Sequence, residues 1–84
     1  MPAITIYTTT YCPYCVKAKD LLKRKGATWT EVNAEDDAVR EAMIVKAGGR
    51  RTVPQIFIGE THVGGCDDLY ALEKAGKLDA LLAS

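Results

Sequence analysis

The sequence predicts an α/β fold in which helices flank a four-stranded mixed sheet, with the element order β-α-β-α-β-β-α. The first observation is a change of hydrophobic period: alternating runs at 4–8 and 28–33 enclose a helical pattern at 13–25. The second is a Gly-Glu turn signal between two short alternating runs. The chain has 84 residues, 48% of them hydrophobic, so we expect residues 1–84 to form one domain.

The first three elements predict a βαβ unit. ITIYT at 4–8 and TWTEVN at 28–33 are rich in β-branched and aromatic residues, which favours strands. Gly26 ends the helix between them, and a crossover of this length predicts parallel strands with a right-handed connection. The helix face that we expect to be buried comprises Cys15, Val16, Ala18, Leu21 and Leu22.

The second half of the chain predicts a helix, a hairpin and a final helical region. Acidic residues near its start and a glycine pair at its end favour a helix over 34–49. Its expected core-facing residues are Val39, Ala42, Met43 and the stem of Lys46. QIFI at 55–58 and THVG at 61–64 predict a β-hairpin. The last helical region opens at Cys66, and Gly76 is a candidate break within it.

Charge and composition exclude some classes of function. Basic and acidic residues number 11 each, so neither nucleic acid nor an anionic membrane is favoured as a partner. The start MPAITIYT does not resemble a signal peptide, and no apolar run is long enough to span a bilayer. We therefore expect a cytoplasmic protein, and a monomer. Basic residues cluster at 17–25 and 46–51, either as solvated helix faces or as the borders of one anionic site.

Cys12 and Cys15 are the candidate catalytic residues. Pro13 suits the first turn of a helix, where its missing N–H costs nothing, so Cys12 lies at the helix N-terminus. Unpaired backbone N–H groups and the helix dipole favour a thiolate there, and such sites lower a cysteine pKa from about 8.5 to roughly 3.5–7.5. Cys15 lies one turn deeper on the same face. We expect Cys12 to be the exposed nucleophile and Cys15 the resolving thiol.

Two other roles for the cysteine pair stay open on the residues alone. A structural zinc site usually takes four ligands, whereas this chain has three cysteines and one histidine, His62, without metal-like spacing. A structural disulfide across so short a loop stabilises little, and the cytoplasm is reducing. We therefore expect no metal, a redox role for the pair, and an exposed strand position for His62.

Three motifs together resemble those of the glutaredoxins: CPYC at 12–15, TVP at 52–54 and GGCDD at 64–68. The resemblance is to the small dithiol type and covers essentially the whole chain. It implies a thioredoxin-like fold, with glutathione as the electron donor and co-substrate. The Trp-Cys-Gly-Pro-Cys motif typical of thioredoxins proper is not in this sequence.

The resemblance also implies a set of glutathione-binding residues, which are Tyr14, Thr52, Val53, Pro54, Gly65, Cys66 and Asp67. Pro54 would be cis, so that the backbone of Val53 is exposed and pairs with glutathione like one more strand rung. The amides of Cys66 and Asp67 would bind the γ-glutamyl carboxylate, and the Asp67 side chain would bind the amino group. Asp67 is also a candidate helix cap. Cys66 would be an exposed bystander thiol.

One position departs from the family pattern. Glutaredoxins of this type commonly carry a lysine shortly before CPYC, where this chain has three threonines at 8–10. A threonine hydroxyl donates a hydrogen bond but carries no charge. The glycyl carboxylate of glutathione would then rely on Lys17, Arg40 or Arg51, among which the sequence does not choose.

The residues and the resemblance predict a glutathione-dependent thiol–disulfide oxidoreductase. Its partners would be proteins that carry disulfides or bound glutathione, with ribonucleotide reductase as one candidate. One alternative is a redox partner of the same fold that is reduced by thioredoxin reductase. Another is a dimer that holds an iron–sulfur cluster through two Cys12 thiolates and two glutathiones. Pro13 argues against this dimer, since the family's cluster carriers usually have Gly or Ser there.

Overall fold

The computed structural model of this chain describes residues 2–83. Within that range the elements are β1 (Ile4–Thr8), α1 (Pro13–Arg24), β2 (Thr30–Asn33), α2 (Asp37–Lys46), β3 (Gln55–Ile58), β4 (Thr61–Gly64), α3 (Cys66–Lys74) and α4 (Leu78–Ala83). The predicted order is confirmed. The last helical region divides into α3 and α4 around Gly76, whose φ of 73° costs glycine little.

The strands form one mixed sheet in the order β2-β1-β3-β4. β1 and β2 are parallel, as a strand–helix–strand crossover requires, while β3 runs antiparallel to both β1 and β4. Tyr7, near the end of β1, lies opposite Gln55, the first residue of β3. The loop that follows β1 and the loop that precedes β3 therefore meet at the same edge of the sheet. This register brings CPYC and TVP together.

The sheet separates two groups of buried side chains. On one face α1, α3 and α4 cover the isoleucines of β1 and β3. The largest fully buried side chains there are Ile6, Leu22, Ile56, Leu69 and Leu78. On the other face α2 contributes Met43, which packs with Tyr7 and Ala34. Full burial of a large apolar side chain contributes about 1.5–3 kcal/mol, so the first face supplies most of the core energy.

Helix α2 is shorter at both ends than the predicted range 34–49. Its N-cap is Asp36, whose carboxylate accepts hydrogen bonds from two N–H groups of the first turn, at 2.9 and 3.2 Å. Ala34 stays outside the helix because its N–H donates to the Thr8 carbonyl at 2.7 Å, which extends the pairing of β1 with β2. At the other end the helix stops at Lys46, ahead of the glycine pair.

Three further expectations about the elements are wrong. Val16 is 58% exposed, because one residue of helix rotates it about 100° away from buried Cys15. Ala42 is also exposed, and the half-buried Ile44 packs against the core in its place. β2 starts at Thr30 instead of position 28, since its register with β1 begins there. Within residues 2–83, no helix combines the length and apolar character of a transmembrane segment.

Candidate active site

Cys12 and Cys15 form a disulfide at the start of α1, with their Cα atoms 5.1 Å apart. Cys12 is the N-cap residue, and its Sγ accepts a hydrogen bond from the Cys15 N–H at 3.1 Å. Its carbonyl accepts from the Val16 N–H, also at 3.1 Å, which closes the first helical turn. The predicted placement of Cys12 at a helix N-terminus is confirmed, and the pair forms the redox disulfide that the spacing favours.

The two sulfurs differ in their access to solvent. Cys15, in the first turn of α1, is 1% exposed, whereas Cys12 is half-buried. An incoming sulfur therefore has a path to Cys12 and none to Cys15. This difference suits the predicted roles of nucleophile for Cys12 and resolving thiol for Cys15.

A cleft beside the disulfide is built from three separate segments. The Val53–Pro54 peptide bond is cis, as predicted. The cleft, called the cis-proline cleft below, is lined by Tyr14, Arg50, Thr52, Val53, Pro54, Gly65, Cys66, Asp67 and Asp68. The seven residues that the resemblance implied for glutathione binding are all in this set, whereas Lys17, Arg40 and Arg51, the candidates for its glycyl carboxylate, are not. Tyr14 lies between the two cysteines in the chain, and it links the cleft to the disulfide.

The N-cap residue of α3 is Gly65, and the aspartate that takes part in capping is Asp68, at the third helical position, not Asp67 as the sequence suggested. Asp68 Oδ2 accepts from the Gly65 N–H at 2.8 Å and from Arg50 Nη1 at 2.9 Å. The Gly65 N–H, and then the Arg50 guanidinium, hold the pKa of Asp68 below its usual value. Asp67 is exposed and lines the cis-proline cleft, so its carboxylate is available to a ligand.

Arg50 is the basic residue that lines the cis-proline cleft, and sequence analysis did not single it out. Arg40, one of the predicted candidates, donates to the backbone carbonyls of Ala34 and Arg51 at 3.3 and 3.5 Å. The feature of the sequence that points to Arg50 is the basic cluster at 46–51, one of the two clusters considered as borders of an anionic site. Which arginine lies in the cleft depends on the path of the chain between α2 and β3.

Cys66 is buried, which corrects the expectation of an exposed thiol. It is the first residue of α3 and is 6% exposed. Burial is the main cause that raises the pKa of this thiol, and the charge of Asp67 raises it further. A thiol that is desolvated and protonated reacts slowly, so Cys66 contributes to packing and to the cleft wall.

The three threonines before Cys12 form hydrogen bonds at the end of β1 and in the loop that follows it. Thr8 Oγ1 donates to Glu31 Oε2 at 3.2 Å, and Thr9 Oγ1 donates to the Tyr11 carbonyl at 3.3 Å. The N–H and the hydroxyl of Thr10 both donate to Glu35 Oε1, and these bonds lower the pKa of Glu35. These hydrogen bonds to two glutamates and one backbone carbonyl hold the segment that precedes Cys12 in place.

His62 is half-buried, which corrects the expectation of an exposed strand residue. Its ring stacks on Phe57 with centroids 4.8 Å apart, and its Nε2 lies 2.8 Å from Gln55 Oε1. Gln55 is 0% exposed, although the sequence predicts nothing more for it than a position in a strand. In the part of the chain that the structure describes, no three His, Cys, Asp or Glu side chains are grouped as metal ligands would be.

Comparison with known proteins matches this geometry to one family. The glutaredoxin family model matches residues 4–63. A glutaredoxin from Pseudomonas aeruginosa is 57% identical over 84 residues, which is 100% of both chains. A Brucella melitensis glutaredoxin structure superposes with a TM-score of 0.86 at 57% identity, covering 98% of this chain and 89% of that one. A buckwheat glutaredoxin–glutathione complex superposes with a TM-score of 0.89 at 34% identity, covering 98% and 77%.

The fold and the redox-active cysteine pair agree with these matches. The mixed sheet with flanking helices is the thioredoxin-like fold of the glutaredoxin structures. This chain belongs to the glutaredoxin family of thiol–disulfide oxidoreductases.

Proposed function

We propose that this protein uses glutathione to reduce protein disulfides and glutathione mixed disulfides. The observation that carries the proposal is the cis-proline cleft, which gathers the seven residues implied by the resemblance and includes Tyr14, from the segment between Cys12 and Cys15. The buckwheat relative of the same fold was solved as a complex with glutathione. A ligand in the cleft would present its sulfur to Cys12, the accessible member of the pair.

In the dithiol route the Cys12 thiolate attacks one sulfur of a substrate disulfide. The other substrate sulfur leaves and takes a proton. Cys15 then attacks the Cys12 sulfur, which releases the second substrate thiol and leaves the Cys12–Cys15 disulfide. Two glutathione molecules restore the dithiol: the first forms a mixed disulfide with Cys12, and the second releases it as oxidised glutathione. Two electrons pass from two glutathiones to one substrate disulfide.

In the monothiol route Cys12 acts without Cys15. Its thiolate attacks the glutathione sulfur of a glutathionylated protein, and the protein thiol leaves in reduced form. A second glutathione then attacks the Cys12–glutathione disulfide, which yields oxidised glutathione and regenerates the Cys12 thiolate. This route needs the cleft to hold the glutathione moiety with its sulfur towards Cys12.

The cleft offers a recognition group for each part of glutathione. The Val53 backbone would pair with the backbone of the glutathione cysteine, next to the cis-proline. The N-terminal amides of α3, at Cys66 and Asp67, would bind the γ-glutamyl carboxylate, while the Asp67 carboxylate would bind the amino group. Tyr14 would cover the ligand, and Arg50 is the cationic group that lines the cleft.

We assign this activity to a single-domain monomer in the cytoplasm, because the dithiol form is maintained in a reducing compartment. Its protein partners would be disulfide-containing or glutathionylated proteins, with ribonucleotide reductase as one candidate. No metal is needed in either route.

The test separates the two routes and the two possible electron donors. Cys12→Ser should abolish both reactions, whereas Cys15→Ser should retain deglutathionylation and lose reduction of protein disulfides. The wild-type protein should turn over with glutathione and glutathione reductase, and not with thioredoxin reductase. Full activity of Cys12→Ser, or turnover only with thioredoxin reductase, would contradict the proposal.

A further inference from the structure

Gln55 is a fully buried polar side chain that neither route uses. It is the first residue of β3 and is 0% exposed. A buried amide costs free energy unless its polar atoms are hydrogen-bonded, and an apolar residue of similar size would avoid that cost. The partners of the Gln55 amide therefore indicate what the residue does.

The Gln55 amide nitrogen binds the residue that precedes Val53 and Pro54. Nε2 donates to the Thr52 carbonyl oxygen at 2.9 Å and to Thr52 Oγ1 at 3.3 Å. Both amide hydrogens are thus directed at Thr52. Because Oγ1 is the acceptor in this contact, the hydroxyl hydrogen of Thr52 is left to donate to a ligand in the cis-proline cleft.

The Gln55 amide oxygen faces His62, on β4. Its Oε1 lies 2.8 Å from His62 Nε2. The Thr52 carbonyl only accepts hydrogen bonds, so the amide must turn its nitrogen to Thr52 and its oxygen to His62. The His62 ring then donates from Nε2, and stacking on Phe57 holds the ring in place. A chain of hydrogen bonds runs from β4 through β3 to the cleft.

We propose that Gln55 is a positioning residue for glutathione. It holds Thr52, and with it the backbone of Val53, in the position from which both contact the ligand, and His62 fixes the orientation of the Gln55 amide. Thr52 and Val53 precede β3 and lie outside the strand pairing, so a side chain provides the hydrogen bonds that a neighbouring strand would otherwise provide. The inference rests on the proposed function, in which these two residues bind glutathione.

The experiment compares two substitutions at Gln55 with one elsewhere in the same strand. Gln55→Leu removes the amide at similar volume, and Gln55→Glu retains an acceptor for His62 but loses the donors to Thr52. Ile58→Val is the matched control, because Ile58 is also buried in β3, at 3% exposure, and lies at the far end of the strand from Thr52. Kinetics with a glutathionylated peptide, alkylation of Cys12 by iodoacetamide and backbone NMR provide the measurements.

Both Gln55 variants should raise KM for the glutathionylated peptide about tenfold, with kcat changed less than about twofold, because ground-state binding is lost. Ile58→Val should leave KM unchanged. The rate of Cys12 alkylation should stay at the wild-type value, since iodoacetamide does not use the cleft. The order parameter of the Val53 amide should fall from about 0.85 to below about 0.6 in Gln55→Leu.

Unchanged KM in both Gln55 variants would overturn the positioning role. A rise in KM accompanied by an equal loss of Cys12 alkylation would also overturn it, because that result indicates general loss of structure. Wild-type protein without glutathione turnover would contradict the proposed function instead. In that case an unchanged Val53 order parameter in Gln55→Leu would by itself overturn the claim that Gln55 holds the loop.

Discussion

A cysteine lies at the N-terminus of both α1 and α3, and the two thiols have different surroundings. Cys12 is the N-cap of α1, is half-buried, and accepts the Cys15 N–H at its sulfur. Cys66 is one position further into its helix, as the first residue of α3, and is buried with a raised pKa. We therefore expect a helix N-terminus to favour the thiolate of a sulfur at the cap position that solvent can reach, and not that of a buried sulfur in the first turn.

The residues at the two N-cap positions suit different tasks, namely thiol chemistry at α1 and ligand binding at α3. At α1 the cap position is taken by the reactive sulfur itself, and Pro13 follows it without an N–H to satisfy. At α3 the N-cap residue is Gly65, which has no side chain, and Gly65, Cys66 and Asp67 line the cis-proline cleft. One helix start thus suits sulfur chemistry and the other suits the binding of a carboxylate.

The largest expected difference between the two helix starts is in thiol reactivity. In reduced Cys15→Ser protein at pH 7, we expect iodoacetamide to alkylate Cys12 at least about 100-fold faster than Cys66, because Cys12 is accessible and favoured as thiolate. Mass spectrometry of peptides after timed quenching measures both rates in one sample. Unfolding in urea should bring the two rates together. Similar rates in the folded protein would remove the distinction between the two sites.

The second prediction concerns the backbone in front of α3. Gly64 has φ of 112°, and a Cβ there would collide with the Asp68 carboxylate and the Arg50 guanidinium. We expect Gly64→Ala to destabilise the protein by about 1–3 kcal/mol, as measured by urea unfolding. Gly65→Ala is the matched control, since a Cβ at Gly65 would lie 3.5 Å from the nearest atom, the Pro54 carbonyl oxygen. Equal stability of the two variants would contradict the structure of this turn.

The third prediction separates the capping aspartate from the cleft aspartate. Asp68→Ala should cost about 1 kcal/mol of folding stability, because the Gly65 N–H and Arg50 lose their acceptor. Asp67→Ala should change stability by less than about 0.5 kcal/mol, since Asp67 is exposed. For glutathione binding we expect the opposite order, with a larger increase in KM for Asp67→Ala than for Asp68→Ala. A larger loss of folding stability in Asp67→Ala than in Asp68→Ala would identify Asp67 as the capping aspartate.

The smallest expected effect is the pH dependence of the α3 cap. The folded protein holds the Asp68 pKa below its unfolded value, so between the two values the unfolded state binds more protons. The stabilisation by Asp68 is complete above the unfolded pKa, about pH 4, and is lost as the pH falls through the lower folded value. The stability difference between wild type and Asp68→Ala should therefore shrink below about pH 4. If the stability difference between wild type and Asp68→Ala grew as the pH fell, the result would contradict a lowered Asp68 pKa in the folded protein.

The parts of the site that the sequence predicted are those with local signals. Cys12, Pro13 and Cys15 follow one another at the junction of a strand and a helix, and their spacing is enough to place both sulfurs in the first turn. The cis bond at Pro54 was implied by the resemblance of TVP to the family motif, which is also one short segment. In each case the residues that determine the geometry are neighbours in the chain.

The parts that the sequence did not predict depend on contacts between separate segments. Gln55 was indistinguishable from any strand residue in QIFI, because its role depends on His62 across the hairpin and on Thr52 before the strand. The choice of Asp68 over Asp67 as cap likewise depends on Arg50, 18 positions earlier in the chain. Burial of Cys66 follows from the packing of α3 on the sheet, which a motif does not describe.

The most direct test of the contrast between α1 and α3 is to find where glutathione attaches. Reduced Cys15→Ser protein, which cannot resolve a mixed disulfide, is treated with oxidised glutathione and digested without reductant. Mass spectrometry then locates the added glutathione. We expect it on Cys12, with Cys66 unmodified as long as the protein stays folded. Glutathione on Cys66, or on both cysteines at similar rates, would contradict the assignment of chemistry to α1 and binding to α3.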